Sequence, residues 1–148
     1  MLKATGNVEI NRSVGDVFKY AEDPQTQHEW QPGLHQVKVS GNRTTEVRKT
    51  MGRHVEHDVE LSDRQENKKL SHKGDAKSHD GSFERHMTFE DMGGNKTKVT
   101  MDLMVDTKGA LGAAKPIVER MVQREVRNDL EQLKDMLEAH GDLVPPLA

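Results

Sequence analysis

Two histidines and one arginine interrupt the apolar faces of strand-like segments, and these side chains are the first candidates for chemistry. In HVEHDVEL, residues 54–61, His57 and Leu61 share one face if the segment is a strand, because alternate residues point the same way. Arg85 interrupts a second apolar face within residues 82–90. An imidazole can act as a general acid or base, and a guanidinium binds carboxylates or phosphates through paired N–H donors.

Pairing of consecutive strands predicts that these side chains lie close together. One hairpin sets Leu61 opposite Leu70. In the same register Val59 lies opposite His72, and the next hairpin brings His72 near Arg85. The polar side chains then form one cluster on one face of the sheet.

A cluster of His57, His72 and Arg85 among Val, Met and Leu side chains is typical of a ligand pocket. It predicts a small hydrophobic or amphipathic ligand with an acidic or oxygen-rich end. The alternative is that these side chains face solvent at a sheet edge, or pair with a glutamate such as Glu46 or Glu60. If the protein is an enzyme, His57 or His72 is the candidate for acid–base work on an enolisable ligand.

The sequence does not support a metal site, a nucleotide-binding loop or a catalytic nucleophile. The chain has eight histidines, but His54 and His57 are three apart in a predicted strand and so point to opposite faces. The glycines within residues 93–97 lack the full spacing of a phosphate-binding loop, and there is no cysteine. We therefore predict no metal site and no cofactor.

The composition predicts a thin or partly hollow core. Of 148 residues, 32% are hydrophobic and 3% aromatic, although aromatic side chains usually fill much of a compact interior. The net charge of −3, from 22 basic and 25 acidic residues, provides no basic stripe for nucleic acid. We expect one domain at residues 1–140 and a flexible tail at 141–148. The oligomeric state stays open between a monomer and a weak dimer.

The sequence also predicts where the protein is found. No run of residues approaches the ~18 apolar positions of a membrane span. The N-terminus MLKATGNVEI has no apolar segment of the kind that signal peptides carry. With no cysteine to form a disulfide, these features predict a cytoplasmic protein.

The periodicity of the sequence predicts an α+β architecture. A strand at 3–11 precedes two short helices, the first capped by Ser13 and the second opened by Asp23 and Pro24. An apolar stripe along residues 114–139 predicts a long C-terminal helix. A seven-stranded curved antiparallel sheet then wraps around this helix. The six strands predicted after the short helices cover residues 34–40, 44–51, 54–63, 68–75, 82–90 and 97–106.

This order of elements resembles the START-like (SRPBCC) superfamily, particularly its polyketide cyclase/dehydrase-like bacterial members. The likeness rests on VEINRSVGDVFKYAEDPQTQHEW at 8–30, NKTKV at 95–99 and TKGALG at 107–112. It implies the helix-grip fold, with an elongated cavity for hydrophobic or amphipathic molecules between the sheet and the long helix. These motifs are structural, so the resemblance bears on the fold more than on the activity.

The resemblance leaves the role of several side chains open. Trp30 lies either at the lip of the implied cavity or in the core beneath the short helices. The methionines either belong to the core or line a cavity that adapts to ligands of varied shape. The residues predicted to bind ligand are Trp30, His57, Val59, His72, Arg85, Met87, Met101, Leu103 and Met121.

Three functions agree with this interpretation. The favoured one is binding of the ligand, for transport or sequestration, without turnover. The second is a cyclase- or dehydratase-like enzyme that uses histidine acid–base chemistry. The third is a co-chaperone or protein-interaction module that uses the outer face of the sheet.

Overall fold

Seven antiparallel strands form a single curved sheet, as the sequence predicts. The structure is a computed structural model that describes residues 1–50, 53–77, 81–107 and 112–140. The predicted tail 141–148 and most of the TKGALG segment lie outside these ranges. The strands are β1 Leu2–Ile10, β2 Leu34–Ser40, β3 Arg43–Thr50, β4 Arg53–Gln65, β5 Lys69–Ala76, β6 Ser82–Gly93 and β7 Lys96–Asp106.

The strand order is β1-β7-β6-β5-β4-β3-β2. The strands from β2 to β7 are therefore a meander in which each strand pairs with the next along the chain. The first strand, β1, joins this meander beside the last one, β7. The predicted six-strand meander and the predicted seven-stranded antiparallel sheet are confirmed.

Two short helices follow β1, namely α1 Val14–Glu22 and α2 Gln27–Trp30. Ser13 caps α1, because its side chain accepts a hydrogen bond from the backbone N–H of Asp16. The predicted start of the second helix at Pro24 is wrong by one turn. The Asp23 carboxylate accepts from the backbone N–H of Gln25 at 2.9 Å, so the chain makes a side-chain-stabilised turn before α2 begins.

The predicted register between β4 and β5 is wrong by two residues. Leu61 lies opposite His72, and Val59 lies opposite Gly74. A bulge between Leu61 and Asp63 adds a residue to β4, and Asn67, with φ of 61°, forms the tip of the following turn. Because the shift is even, the side chains of β4 up to Leu61 keep their predicted face, and the bulge reverses the faces of the residues after it.

The long helix α3, Lys115–His140, packs chiefly against β1. Gly6 permits this close approach, since a Cβ there would lie 3.2 Å from the Leu130 side chain. The side chains that pack in the core between the sheet and the helices include Ile10, Phe18, Trp30, Leu70, Met87, Phe89, Val99, Met101, Val126, Leu130, Leu133 and Leu137.

Met121 departs from the predicted stripe of α3. Its side chain is 47% exposed, so it is neither core nor enclosed beneath the helix. At about 100° per residue, Met121 is rotated by about 140° from the buried Val126. The packed face of α3 already includes the buried Val118 and the half-buried Val122, and Met121 lies outside that face. No helix among the described residues is long and apolar enough to cross a membrane.

Candidate functional site

A group of polar side chains lies on the inner face of β3 to β6, the face that α3 covers in part. His72 on β5 lies directly opposite Arg85 on β6, which confirms the predicted neighbourhood of these two residues. Glu46 on β3 lies opposite His57 on β4. We call six residues, namely Gln31, Glu46, Arg48, His57, His72 and Arg85, the inner polar cluster.

Glu46 and Arg48 form a buried ion pair at one side of the cluster. Arg48 Nη2 lies 2.6 Å from Glu46 Oε1, and Glu46 is only 1% exposed. Burial, the largest single influence, acts to raise the pKa of Glu46, but the charges of Arg48 and Arg85 outweigh it and hold this pKa below its usual range. The glutamate is therefore ionised, and its charge balances that of Arg48.

Gln31 bridges the two arginines from the end of α2. Arg48 Nη2 donates to Gln31 Oε1 at 2.5 Å, and Arg85 Nη1 donates to the same oxygen at 3.3 Å. A guanidinium can only donate, so the amide oxygen of Gln31 must face the arginines. The amide nitrogen Nε2 then points away from them.

Arg85 is the most unusual member of the cluster, because it is a charged side chain that is only 4% exposed. Its Nη2 lies 3.5 Å from His72 Nδ1, and its Nη1 donates to Gln31. Both of these partners are uncharged. Burial lowers the pKa of Arg85, but a guanidinium is so strong a base that it stays protonated.

The two histidines of the cluster are held neutral. Burial and then the charge of Arg85 lower the pKa of His72 to about 3. Burial and then Arg48 also lower the pKa of His57. A neutral imidazole near neutral pH cannot serve as a general acid, so this environment argues against the proton-donating role that the sequence suggests for His72.

Phe83 forms an aromatic platform under the cluster. Its ring centroid lies 5.5 Å from that of His57, in an edge-to-face arrangement. Arg48 and Arg85 lie over the ring with Cζ at 5.9 and 5.8 Å from the centroid, which suits a cation–π contact. Gly74 lies opposite Phe83 in the sheet, and any Cβ there would collide with the ring. A glycine inside a strand was the sequence signal for this close approach.

Asp129 on α3 interacts with the charges of Arg48 and Arg85 in the cluster, and it is 7% exposed. Burial and then the neighbouring Glu125 raise its pKa to about 7, although Arg48 and Arg85 act in the opposite direction. Its protonated and ionised forms are therefore of similar population near neutral pH.

The structure places the other predicted ligand-binding residues at different depths. Val59, Met87 and Met101 are buried on the inner face, and Leu103 is half-buried there. Trp30 is buried beneath the short helices, which agrees with the core alternative for its ring. Met121, as noted, is exposed.

Sequence reasoning missed several members of this group. The missed residues are Gln31, Arg48, Phe83 and Asp129, and Glu46 was named only as a possible partner for a histidine or arginine. β3, with the sequence RTTEVRKT, has Val47 as its one apolar residue, so its polar face gave no sign of burial. Asp129 lies between apolar positions of the α3 stripe. The presence of one carboxylate among them was the only sign in the sequence that it is buried.

A second polar group lies on the opposite face of β5 and β6. Ser71 Oγ lies 2.8 Å from His86 Nδ1, and His86 Nε2 lies 3.5 Å from Glu84 Oε2. This trio has the residue types of a hydrolase triad. Ser71 is fully buried, however, so its hydroxyl cannot reach a substrate in this conformation.

The described residues contain no group of three or more histidine, aspartate or glutamate side chains placed to hold a metal ion. His54 points away from His57 and lies against His35 instead, with ring centroids 4.6 Å apart.

The fold and the position of the cluster define the class of protein. A seven-stranded sheet around a C-terminal helix, with two short helices after the first strand, is the helix-grip fold of START-like proteins. The chain belongs to the family described as polyketide cyclase/dehydrase and lipid transport, which matches residues 1–138. The search of curated proteins gave no match.

Solved structures agree on the fold. A START superfamily protein from Mycobacterium smegmatis is similar with a TM-score of 0.81 and 14% identity, over 95% of this chain and 100% of that one. A conserved protein from Geobacillus kaustophilus has a TM-score of 0.78 and 13% identity, over 94% and 97%. The di-domain ARO/CYC BexL of the BE-7585A biosynthetic pathway has a TM-score of 0.78 and 14% identity, over 96% of this chain and 48% of that one. Identities this low carry the fold alone.

Proposed function

We propose that the protein binds a small hydrophobic or amphipathic molecule between the inner face of the sheet and α3, for transport or sequestration. The apolar part of the ligand packs against Val59, Met87 and their neighbours, and its polar end meets the inner polar cluster. The family to which the chain belongs includes lipid transport in its description, which supports this class of ligand.

The observation that carries the proposal is the burial of charged side chains on the inner face. Arg85 and Glu46 are both nearly inaccessible to solvent. Replacing buried ion pairs with well-packed apolar residues is often neutral or stabilising, so stability alone does not explain these charges. A polar group held at the end of an apolar space is what orients an amphipathic ligand.

Native mass spectrometry of freshly purified protein tests the proposal. A discrete additional mass that is lost on denaturation, followed by solvent extraction and identification, would support it and define the ligand class. A clean mass of the chain alone, with no thermal shift from a panel of fatty acids, isoprenoids and polyketides, would contradict it.

A matched pair of variants locates the bound molecule. Val59→Trp adds bulk to the inner face, where Val59 is buried, and is expected to abolish ligand retention. Val39→Trp makes the same change at an exposed position on β2 and is expected to leave retention unchanged. Far-UV circular dichroism shows whether each variant folds. Partner binding that is insensitive to Val59→Trp would favour the protein-interaction module instead.

A cyclase- or dehydratase-like enzyme is a second candidate, and Asp129 favours it. A general acid or base works best when its pKa lies near the working pH, and the pKa of Asp129 is about 7. Exchange of the α-hydrogens of a β-ketoester into deuterated water, followed by NMR, tests this candidate. Catalysed exchange that Asp129→Asn abolishes and His72→Gln retains would support the enzyme, and exchange at the uncatalysed rate would exclude it for this substrate.

A further inference from the structure

Several buried side-chain nitrogens of the site have no hydrogen-bond acceptor among the described residues. Four buried side-chain nitrogens of the described residues have no hydrogen-bond partner, and no buried side-chain oxygen there shares this condition. Three of them, Gln31 Nε2, His57 Nδ1 and Arg85 Nε, belong to the inner polar cluster, and the fourth, Trp30 Nε1, lies in the core beneath the short helices. The indole, amide and guanidinium nitrogens can only donate. The site therefore offers donors to a group that accepts.

These donors belong to side chains that are deeply buried. Trp30, Gln31 and Arg85 are each more than nine-tenths buried. The two hydrogen bonds that Gln31 Oε1 accepts hold its amide in one orientation, with Nε2 turned away from both arginines. Buried donors without partners are costly, so natural cores rarely keep them without a reason.

The charges of the cluster also fail to balance. Glu46 offsets Arg48, with which it forms a salt bridge. Arg85 makes no salt bridge to any residue in the described part of the chain, and its two Nη partners, Gln31 and His72, carry no charge. One positive charge thus lies buried without a direct counter-ion.

Asp129 on α3 is not a full counter-ion for Arg85. Among the described residues it accepts no hydrogen bond and forms no ion pair, and it is more than nine-tenths buried. The charged groups that act on it are Glu125 on its own helix, Arg48 on β3 and Arg85 on β6. Beyond these, the arginines are surrounded by Glu46, His57 and His72.

We propose that the inner polar cluster binds the carboxylate of a monocarboxylic acid, with Arg85 as its counter-charge, and that Asp129 takes up a proton when the carboxylate enters. This inference rests on the proposed function, whose ligand it specifies. A carboxylate brings one negative charge and two oxygens that accept several hydrogen bonds, which matches one unpaired cation and a surplus of donors. A phosphate monoester carries nearly two negative charges near neutral pH and would leave the buried site with an excess of negative charge.

Proton uptake follows from the same charges. A second anion near Asp129 disfavours the ionised form of Asp129, because like charges in a buried site repel. Glu125 already acts in this direction. The charge of the ligand's carboxylate therefore takes over from the charge of Asp129 in balancing the arginines, and Asp129 becomes protonated.

Titration of the full chain with dodecanoate, dodecanol and dodecyl phosphate tests the ligand class. Binding is followed by the fluorescence of Trp30, the one tryptophan of the chain, and by calorimetry. We expect dodecanoate to bind at least about tenfold more tightly than the other two, a difference of about 1.4 kcal/mol. Octanoate and hexadecanoate, with the alcohols of the same lengths, extend the test to other chain lengths.

Calorimetry in two buffers of different ionisation enthalpy at about pH 7 measures the proton uptake. We expect dodecanoate to take up about half a proton in the wild type, because Asp129 is about half ionised there. Asp129→Asn should still bind dodecanoate but take up no proton. Asp135→Asn, which changes an exposed residue of the same helix, should behave like the wild type.

Arg85→Gln tests the counter-charge. The variant should lose the preference for dodecanoate over dodecanol, whereas Arg64→Gln, which removes an arginine near the surface, should keep it. If Arg85→Gln does not fold, the preference of the wild type for the acid over the alcohol still decides the question. That preference should be present at about pH 7 and should be lost near about pH 4, where dodecanoic acid itself is protonated.

The remaining outcomes overturn the inference in distinguishable ways. Equal binding of dodecanoate and dodecanol would show that only water meets the buried donors, and the proposed function would stand without this inference. A preference for dodecyl phosphate would overturn the charge count. Tight carboxylate binding without proton uptake would overturn the role of Asp129. If no chain of any length binds, the proposed function fails together with the inference.

Discussion

The inner face of the sheet has two halves that differ in chemistry. Beside β1 and β7 it is apolar, and α3 packs onto it through Leu130, Leu133 and Leu137. Along β3 to β6 it carries the charged and imidazole side chains of the inner polar cluster. The first half holds the fold together, and the second places charges where packing alone would not put them.

This difference teaches where function is to be sought in a fold that serves many activities. Apolar packing between a sheet and a helix is common to helix-grip proteins, so it says little about any one of them. Charges buried without full compensation are not required by that packing. They are the features that changes to the protein should be designed to probe.

The largest expected effect is in the polar half, where one partner of a buried ion pair is removed. Arg48→Met leaves Glu46 buried without its counter-ion, and the free energy of unfolding should fall by about 3–5 kcal/mol. The double variant Glu46→Leu with Arg48→Met removes both charges and should recover to within about 1 kcal/mol of the wild type. Urea unfolding measures both. A double variant as unstable as the single one would mean that the pair is needed for stability itself.

In the apolar half, truncation should cost stability without changing what is bound. Leu133 is fully buried, and Leu133→Ala should lower the free energy of unfolding by about 2–5 kcal/mol, because it leaves a cavity. Met121→Ala on the same helix removes an exposed side chain and should change stability by less than about 0.5 kcal/mol. Urea unfolding again gives the values, and similar losses in the two variants would refute the division of α3 into a packed and an exposed part.

The pH dependence of stability should separate the two buried titrating groups near the arginines. The pKa of Asp129 is raised from 3.8 to about 7, so its proton stabilises the fold below about pH 4 and this contribution is lost as the pH rises through about 7. The Asp129→Asn variant has no group that titrates here, so it does not lose this stability as the pH rises. Its stability relative to the wild type should therefore rise by as much as about 4 kcal/mol between about pH 4 and about pH 8.

His72 should change the pH dependence of stability in the opposite direction. Its pKa is lowered from 6.5 to about 3, so its contribution is present above pH 6.5 and is lost as the pH falls through about 3. The stability of His72→Gln relative to the wild type should therefore rise as the pH falls. Urea unfolding across this range tests both variants, with exposed Asp135→Asn and His54→Gln as controls. If the stabilities of both variants relative to the wild type changed with pH in the same direction, these groups would not titrate as buried residues.

The smallest effect is expected outside both halves, at the surface. Arg64 on β4 forms a two-pronged ion pair with Glu22 on α1, with contacts of 2.6 and 3.0 Å. Both side chains are partly exposed, so Arg64→Met should lower the free energy of unfolding by less than about 1 kcal/mol. The difference should shrink further at about 1 M salt, where exposed charges are screened. A loss as large as that of Arg48→Met would erase the contrast between buried and exposed charge.

Local patterns in the sequence were enough to predict most of the fold. Period-two alternation marked the strands, and Gly, Asn and Asp marked the turns between them. The apolar stripe of residues 114–139 marked α3, since a helix must bury one face. Errors arose where the backbone departs from regular geometry, as at the bulge between Leu61 and Asp63 and at the turn that Asp23 stabilises before α2.

The site was predicted only where polar residues interrupt an apolar row. His57, His72 and Arg85 stand out against the apolar residues of their strands, and the pairing of His72 with Arg85 follows from strand order. Glu46 and Arg48 lie on a strand that is polar on both faces, so no alternation marks their burial. Met121 fits the helical stripe in the sequence but lies outside the packed face of α3.

By itself the sequence determined which elements form, their order along the chain and which face of most strands is apolar, because these depend on neighbours within a few residues. Only the tertiary structure decided that Arg48, Arg85 and Gln31 meet from three separate elements, and that Asp129 acts on them from the helix. The balance of buried charge depends on distances between residues far apart in the chain. No local pattern encodes such distances, so the unbalanced charge of the cluster became visible only in the folded molecule.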